Sequence, residues 1–159
     1  MSQTKVVRIT PTSFVGTTAA TRRVLFNPTK IPGAVFGSGG SAIIESIGFI
    51  DYDDNIQKDT FLYFFQKGDN DLGSLGGGLT ISDSEIAANK LLGIVNIIGP
   101  KAAQIGDLLV SSMTWNPDVS IGVSAEFGSS DIYVAAVAED TSTVSTASGK
   151  ELVITFAQG

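Results

Sequence analysis

The apolar residues of this chain fall in short runs, many alternating with polar ones, separated by clusters rich in glycine, serine, threonine, asparagine and aspartate. That punctuation belongs to an all-β fold, in which successive side chains point to opposite faces of a sheet. The pattern predicts strands near 5–9, 21–26, 41–52, 60–66, 93–98, 108–113, 120–127, 131–138 and 151–157. So many short strands in 159 residues, a length suited to one core, imply two packed sheets.

Two of these strands carry more information. Phe61, Tyr63 and Phe65 share one face, and Leu62 and Phe64 the other. A strand apolar on both faces is expected in the middle of a sheet, or with one face in a subunit interface. Leu152, Ile154 and Phe156 alternate instead with Glu151, Val153 and Thr155, a half-buried pattern with Val153 its one exception.

The residues from Ser82 to Gly93 break the β period. Ser82 and Glu85 have the spacing of a capping box, Ile86 and Lys90 stand one turn apart, as do Ala87 and Leu91, and Gly93 offers a left-handed stop. A short helix near 83–92 is therefore expected, lying against one end of the sandwich and covering its core.

Composition narrows the chemistry. The chain has no histidine and no cysteine, which removes Ser-His and Cys-His triads, disulfides, and the imidazole or thiolate sites that hold zinc, copper or iron. Carboxylate chemistry and oxygen-ligated calcium or magnesium remain open. The first thirty residues lack the apolar core of a signal peptide, and the longest apolar run, 132–138, is far short of a membrane span. The chain is thus expected to be made soluble in the cytoplasm, with no membrane partner.

The formal charge of −6 conceals a split. Residues 1–44 hold five bases (Lys5, Arg8, Arg22, Arg23 and Lys30) and no acid, while 45–159 hold sixteen acids and five bases. The expected organisation is an extended basic N-terminal arm with the first strands over 1–40, and an acidic β-sandwich body over 41–159. Such an arm suits a negative protein surface. Nucleic acid is not an expected partner: phosphate would repel the acidic body, and no basic run with interleaved aromatics occurs.

Other candidate sites are weaker. Asp51-Tyr52-Asp53-Asp54-Asn55 opens like a calcium loop, but Ile56 and Leu62 stand where that loop needs glycine and glutamate. Gly37-Ser38-Gly39-Gly40-Ser41 lacks the lysine of a phosphate cradle, and it and the glycine-rich stretch from Gly68 to Gly78 read as flexible loops. Trp115, Asn116 and Asp118 combine an aromatic plane, an amide and a carboxylate, which could stack on and hydrogen-bond a sugar. The competing reading packs Trp115 at a strand end, with Asn116-Pro117 making the turn. No two of the sixteen acids are placed by the sequence as a glycosidase pair.

Three stretches together resemble a known family: Thr60 to Phe65 running into a polar loop, Leu79 to Ala87 closing on Leu91 to Val95, and Asp131 to Ala138 followed by a Thr/Ser-rich loop and the final strand Glu151 to Phe156. Their order is similar to that of small tailed-phage head decoration, or cement, proteins, over roughly residue 41 to the C-terminus. The resemblance implies a jelly-roll-like two-sheet sandwich, often trimeric, that sits outside an icosahedral shell and clamps neighbouring copies of the major capsid protein. It carries no catalytic or cofactor residues.

Three functions are thus in competition. The first is a non-enzymatic capsid decoration protein of the virion surface, docking through Lys5, Arg8, Arg22, Arg23 and Lys30, as a homotrimer and without cofactor. The second is a virion-surface or tail jelly roll that binds host glycans through Trp115, Asn116 and Asp118. A carboxylate-dependent hydrolase is third.

Overall fold

The computed structural model describes residues 3–17, 22–52, 59–97, 103–104, 112–116, 119–139, 143–144 and 147–159. Its strands are β1 (Gln3–Ile9), β2 (Gly16–Thr17), β3 (Arg23–Ile31), β4 (Ser41–Asp51), β5 (Thr60–Phe65), β6 (Leu91–Ile97), β7 (Ala103–Gln104), β8 (Ser112–Asn116), β9 (Ile121–Ser124), β10 (Ile132–Ala138), β11 (Thr143–Val144) and β12 (Lys150–Gln158), with one helix, α1 (Asp83–Asn89). β8 and β9 follow one another along the same edge of β4 and act as one strand.

Leaving aside the two-residue pieces, the pairing runs from the outside inward. β1 pairs with β12, β3 with β10, β4 with β8 and β9, and β5 with β6, all antiparallel. The pairs Gln3↔Gln158, Ile31↔Ile132, Asp51↔Ser112 and Thr60↔Ile97 are all centred within a few residues of Thr80. The chain is therefore one long hairpin, rolled so that β12 also meets β4 and β10 also meets β5. The result is two sheets, β1-β12-β4-β8/β9 (extended by β7) and β3-β10-β5-β6. This is the jelly roll, an architecture shared by viral capsid domains, lectins and cupins.

The main core lies between the sheets. Ile44, Ile47 and Phe49 of β4 and Leu152, Ile154 and Phe156 of β12 face Phe26 and Ile31 of β3, Leu62 and Phe64 of β5, and Ile132 and Val134 of β10. A bulge at Glu45 lets β4 turn both Ile44 and Ile47 inward although they are three residues apart. Val153, the exception in its strand, is also buried, on the opposite side of β12.

β5 has β10 on one side and β6 on the other, so it is an interior strand, the first of the two arrangements expected from its two apolar faces. Its second face, with Phe65 and Tyr63, joins Val24, Leu72, Ala135 and Val137 in a smaller cluster outside the sandwich. The Tyr63 and Phe65 rings lie nearly parallel there, 11° apart with centroids separated by 6.5 Å.

Several sequence expectations need correction. β3 runs on past the expected end at residue 26, through Pro28 to Ile31. It can do so because it is an edge strand with irregular register between Phe26 and Thr29, where a missing N–H breaks no ladder. α1 has the expected capping box, Glu85 N donating to Ser82 Oγ at 3.3 Å and Ser82 N to Glu85 Oε2 at 2.8 Å. The helix ends early, however: Lys90 takes the left-handed position at φ 58°, and Gly93 belongs to β6, opposite Phe64. It covers the outer face of the second sheet rather than an end of the sandwich, because Ile86 packs beside Phe65 and Leu72 there.

Neither glycine-rich segment is a free loop. Gly76 N donates to Val24 O and Val24 N to Gly77 O, so this segment lies along β3 and covers the edge of its sheet. Asn27 clamps the same segment, donating to Gly73 O and accepting from Leu72 N. At Gly39, Gly39 N donates to Ser129 O, while Ser38 Oγ accepts from Gly128 N.

Candidate docking surface

The five N-terminal bases do not form one patch. Residues 1–40 place β1 in one sheet and β3 in the other, and the bases follow those strands to opposite ends of the sandwich. Arg8 lies toward the end where β1 finishes and β12 begins; Arg22 and Arg23 lie at the start of β3, at the same end of the other sheet. Lys5 and Lys30 lie toward the opposite end, with the 32–40 connection and the 125–131 turn.

Three of the five are held by acids of the same chain. Arg8 Nη1 lies 2.8 Å from Glu151 Oε1, Lys30 Nζ 3.7 Å from Asp131 Oδ2, and Arg22 Nε 3.9 Å from Glu139 Oε1. Each of these bases remains more than half exposed, so each pair is weak and can be exchanged for another carboxylate. Among the described residues, Lys5 and Arg23 have no ion pair. Tyr52 also donates to Glu151 Oε1, at 3.3 Å. Burial, reinforced by that carboxylate, raises the Tyr52 phenol above its ordinary pKa.

Lys5 lies over Gly33, in a turn that needs a left-handed residue (φ 61°), and lines an open cleft of about 650 Å³ with Gln3, Phe36, Ser38 and Ser129. Gln158 forms its floor, donating to Gly33 O and Ala34 O and accepting from Gln3 Nε2. Phe36 is 65% exposed and, on the adjoining turn, Phe127 is 97% exposed.

That turn is rigidly built. Ser129 N donates to Glu126 O and Ala125 N to Gly40 O. At its base, Lys90 Nζ lies 2.8 Å and Lys67 Nζ 3.8 Å from Glu126 Oε1. The Lys90 hydrogen bond, with the charges of Lys90 and Lys67, holds the Glu126 carboxyl below its ordinary pKa of 4.5. A fully exposed phenylalanine on a braced turn had no signal in the sequence, where Phe127 reads as the end of a strand.

Of the glycan candidates, the structure describes only the backbone positions of two. Trp115 and Asn116 belong to β8, opposite Gly48 and Ile47, and Asp118 lies outside the described residues. Of the calcium-like loop, 53–58 also lie outside them; Asp51 is committed to the core, its Oδ1 2.6 Å from Lys150 Nζ in a buried cross-strand pair. Among the described residues, no group of three or more acidic side chains converges as a metal site.

No family model matches the sequence, and no curated protein matches it. Among solved structures, the crystal structure of tomato aspermy virus aligns over 98% of this chain and 76% of its own, at 10% identity and a TM-score of 0.41. The structure of infectious bursal disease virus, Gx strain, aligns over 98% of this chain and 41% of its own, at 15% identity and a TM-score of 0.24. Both TM-scores are below 0.5, and neither likeness bears on the function of this chain.

Proposed function

We propose that this chain is a structural virion protein, a decoration or cement protein that docks on the outer surface of a capsid and holds neighbouring subunits of the major capsid protein together. The observation that carries this reading is how a closed jelly roll distributes its polar groups. Among the described residues, six of the eight bases and six of the eleven carboxylates stand in ion pairs within the chain, and the aromatic side chains of Phe36 and Phe127 are turned outward. A protein that bridges subunits needs many modest contacts at separated points and no reactive group. Bases at both ends of the sandwich fit that requirement: Lys5 and Lys30 at one, Arg8, Arg22 and Arg23 at the other.

The test is binding to capsid shells stripped of this protein, with the wild type set against Arg22→Glu/Arg23→Glu and against Lys5→Glu. Each substitution is expected to weaken binding, and the wild-type affinity to fall with added salt, since exposed pairs are screened within about 10 Å at 0.1 M. Unchanged binding by both variants would remove the bases from the docking surface. Absence of the chain from purified virions, or its presence in only tens of copies, would remove the decoration role itself.

A glycan-binding role has one observation in its favour, the cleft beside Lys5, where hydroxyls and amides line a floor next to the exposed ring of Phe36. Titration with acidic and neutral oligosaccharides, followed at Lys5 and Phe36 by NMR, separates it from docking.

A further inference from the structure

Where β4 finishes and β12 begins, two charged side chains are turned into the core. Lys150 and Asp51 are the last pair of the β4–β12 ladder and stand directly opposite one another. Alternation puts Lys150 in the row of Leu152 and Ile154, and Asp51 in the row of Ile47 and Phe49, so both point between the sheets. Their side chains are 2% and 5% exposed, with Lys150 Nζ 2.6 Å from Asp51 Oδ1.

As an ion pair this arrangement is costly. Two charges taken out of water are compensated only where further hydrogen bonds complete their shells. An ammonium brings three N–H donors, yet among the described residues Lys150 Nζ makes no hydrogen bond of regular geometry, its contact with Asp51 included. Glu151, next in sequence, points to the opposite face of the strand, where Arg8 and Tyr52 hold it. Two reactive groups thus lie at contact in a dry site that suits neither as an ion.

We infer that Lys150 and Asp51 join covalently, as an isopeptide amide between Nζ and Cγ. Within the contact a proton passes from Nζ to Oδ1, leaving an amine against a carboxylic acid. The Nζ lone pair then adds to Cγ, the C–OH bond breaks, and the hydroxyl leaves with a second Nζ proton as water. Nothing is oxidised or reduced, and no co-reactant is consumed. Groups held together on paired strands reach effective concentrations of about 10⁵ M or more, and burial keeps bulk water from reversing the step. The amide removes both charges and the unmet donors. It also closes a loop of about 100 residues in a chain that has no cysteine for a disulfide, and it locks the terminal pair of the ladder, where a sheet opens first. The bond needs only this chain, so its failure and a failure of the docking role are separately visible.

The decisive experiment is intact-mass spectrometry of the full chain, folded and then denatured, followed by a tryptic map. The wild type is expected to weigh less than its sequence by the mass of one water. Trypsin is expected to leave the bond after residue 150 uncut and to release 31–58 joined to 102–159. Lys150→Arg keeps the positive charge but has no amine to form this amide, and is expected to show its full mass, with circular dichroism to check that it folds. The wild-type mass is decisive whether or not the variant folds: a full mass after prolonged incubation of the folded chain overturns the inference and leaves an ordinary ion pair. So does a loss of water that persists in Lys150→Arg, or one accompanied by ordinary cleavage after Lys150 and a free 31–58 peptide.

Discussion

The two faces of β5 are equally apolar in sequence and are treated differently by the fold. Leu62 and Phe64 point between the sheets and are 0% exposed, because the opposing sheet, with Phe49 and Ile154, supplies a continuous apolar wall. Phe61 and Tyr63, on the other face, are only partly covered. Their cover is an excursion between β5 and β6, made of α1 and the loop before it, which reaches part of the sheet and leaves a crevice open beside Leu79 and Leu91. Burial pushes the Tyr63 phenol above its ordinary pKa, with Glu139 adding to the effect. An inner face is completed by the topology itself. An outer face is completed only as far as one inserted segment extends.

The sharpest way to separate the faces is Phe64→Ala. It empties a site closed on every side, and is expected to cost about 3–5 kcal/mol of stability in denaturant unfolding. Asn89→Ala attacks the outer cover instead. Asn89 is fully buried, accepts from Asn70 N and Nδ2, and donates to Asn70 O, pinning the end of α1 to the loop. Its loss is expected to cost about 1–3 kcal/mol. The effect should appear first as faster hydrogen exchange in 68–90 with the β4–β12 ladder unchanged; equal loss of protection in both would mean that the two faces are not separable. Ser82→Ala removes the helix cap and is expected to cost about 1 kcal/mol.

Smaller effects mark the outer rim. Ile94→Ser, at a position 46% exposed on the outer face, is expected to change stability by no more than about 0.5 kcal/mol. Glu126→Gln tests the brace beneath Phe127. Because the folded carboxyl sits below 4.5, its stabilising contribution is complete above that value and is lost as pH falls through the lower folded value. Melting followed as pH falls from neutral through and below 4.5 should show a steeper decline for the wild type than for Glu126→Gln; parallel curves would mean that Lys90 does not hold the turn.

Much of this fold is legible along the chain. The alternation in β12 and the two apolar faces of β5 state local periods that any β arrangement must respect, and the Ser82/Glu85 cap is a contact within one turn. Strand ends were less legible. The strand expected to end at residue 26 runs on through Pro28, which only its place on an edge strand makes harmless; Gly93 reads as a helix stop, though Lys90 takes that position instead. The candidate surface was the least legible. Arg22 and Arg23 read as the densest basic point, but where each base lies depends on the sheet that its strand joins.

What the sequence determined by itself is local: an all-β chain, one capped helix, an interior strand, and a side-chain set without histidine or cysteine. Each follows from the stereochemistry or identity of neighbouring residues. The tertiary structure alone decided the rest, above all that a hairpin centred near Thr80 rolls into a jelly roll. Rolling brings Asp51 to Lys150, lays the glycine-rich segment along β3, and leaves Phe127 exposed on its turn and the crevice beside α1 open. These outcomes depend on which distant segments come to lie side by side, and that choice is made by the burial of the whole chain rather than by any one stretch of it.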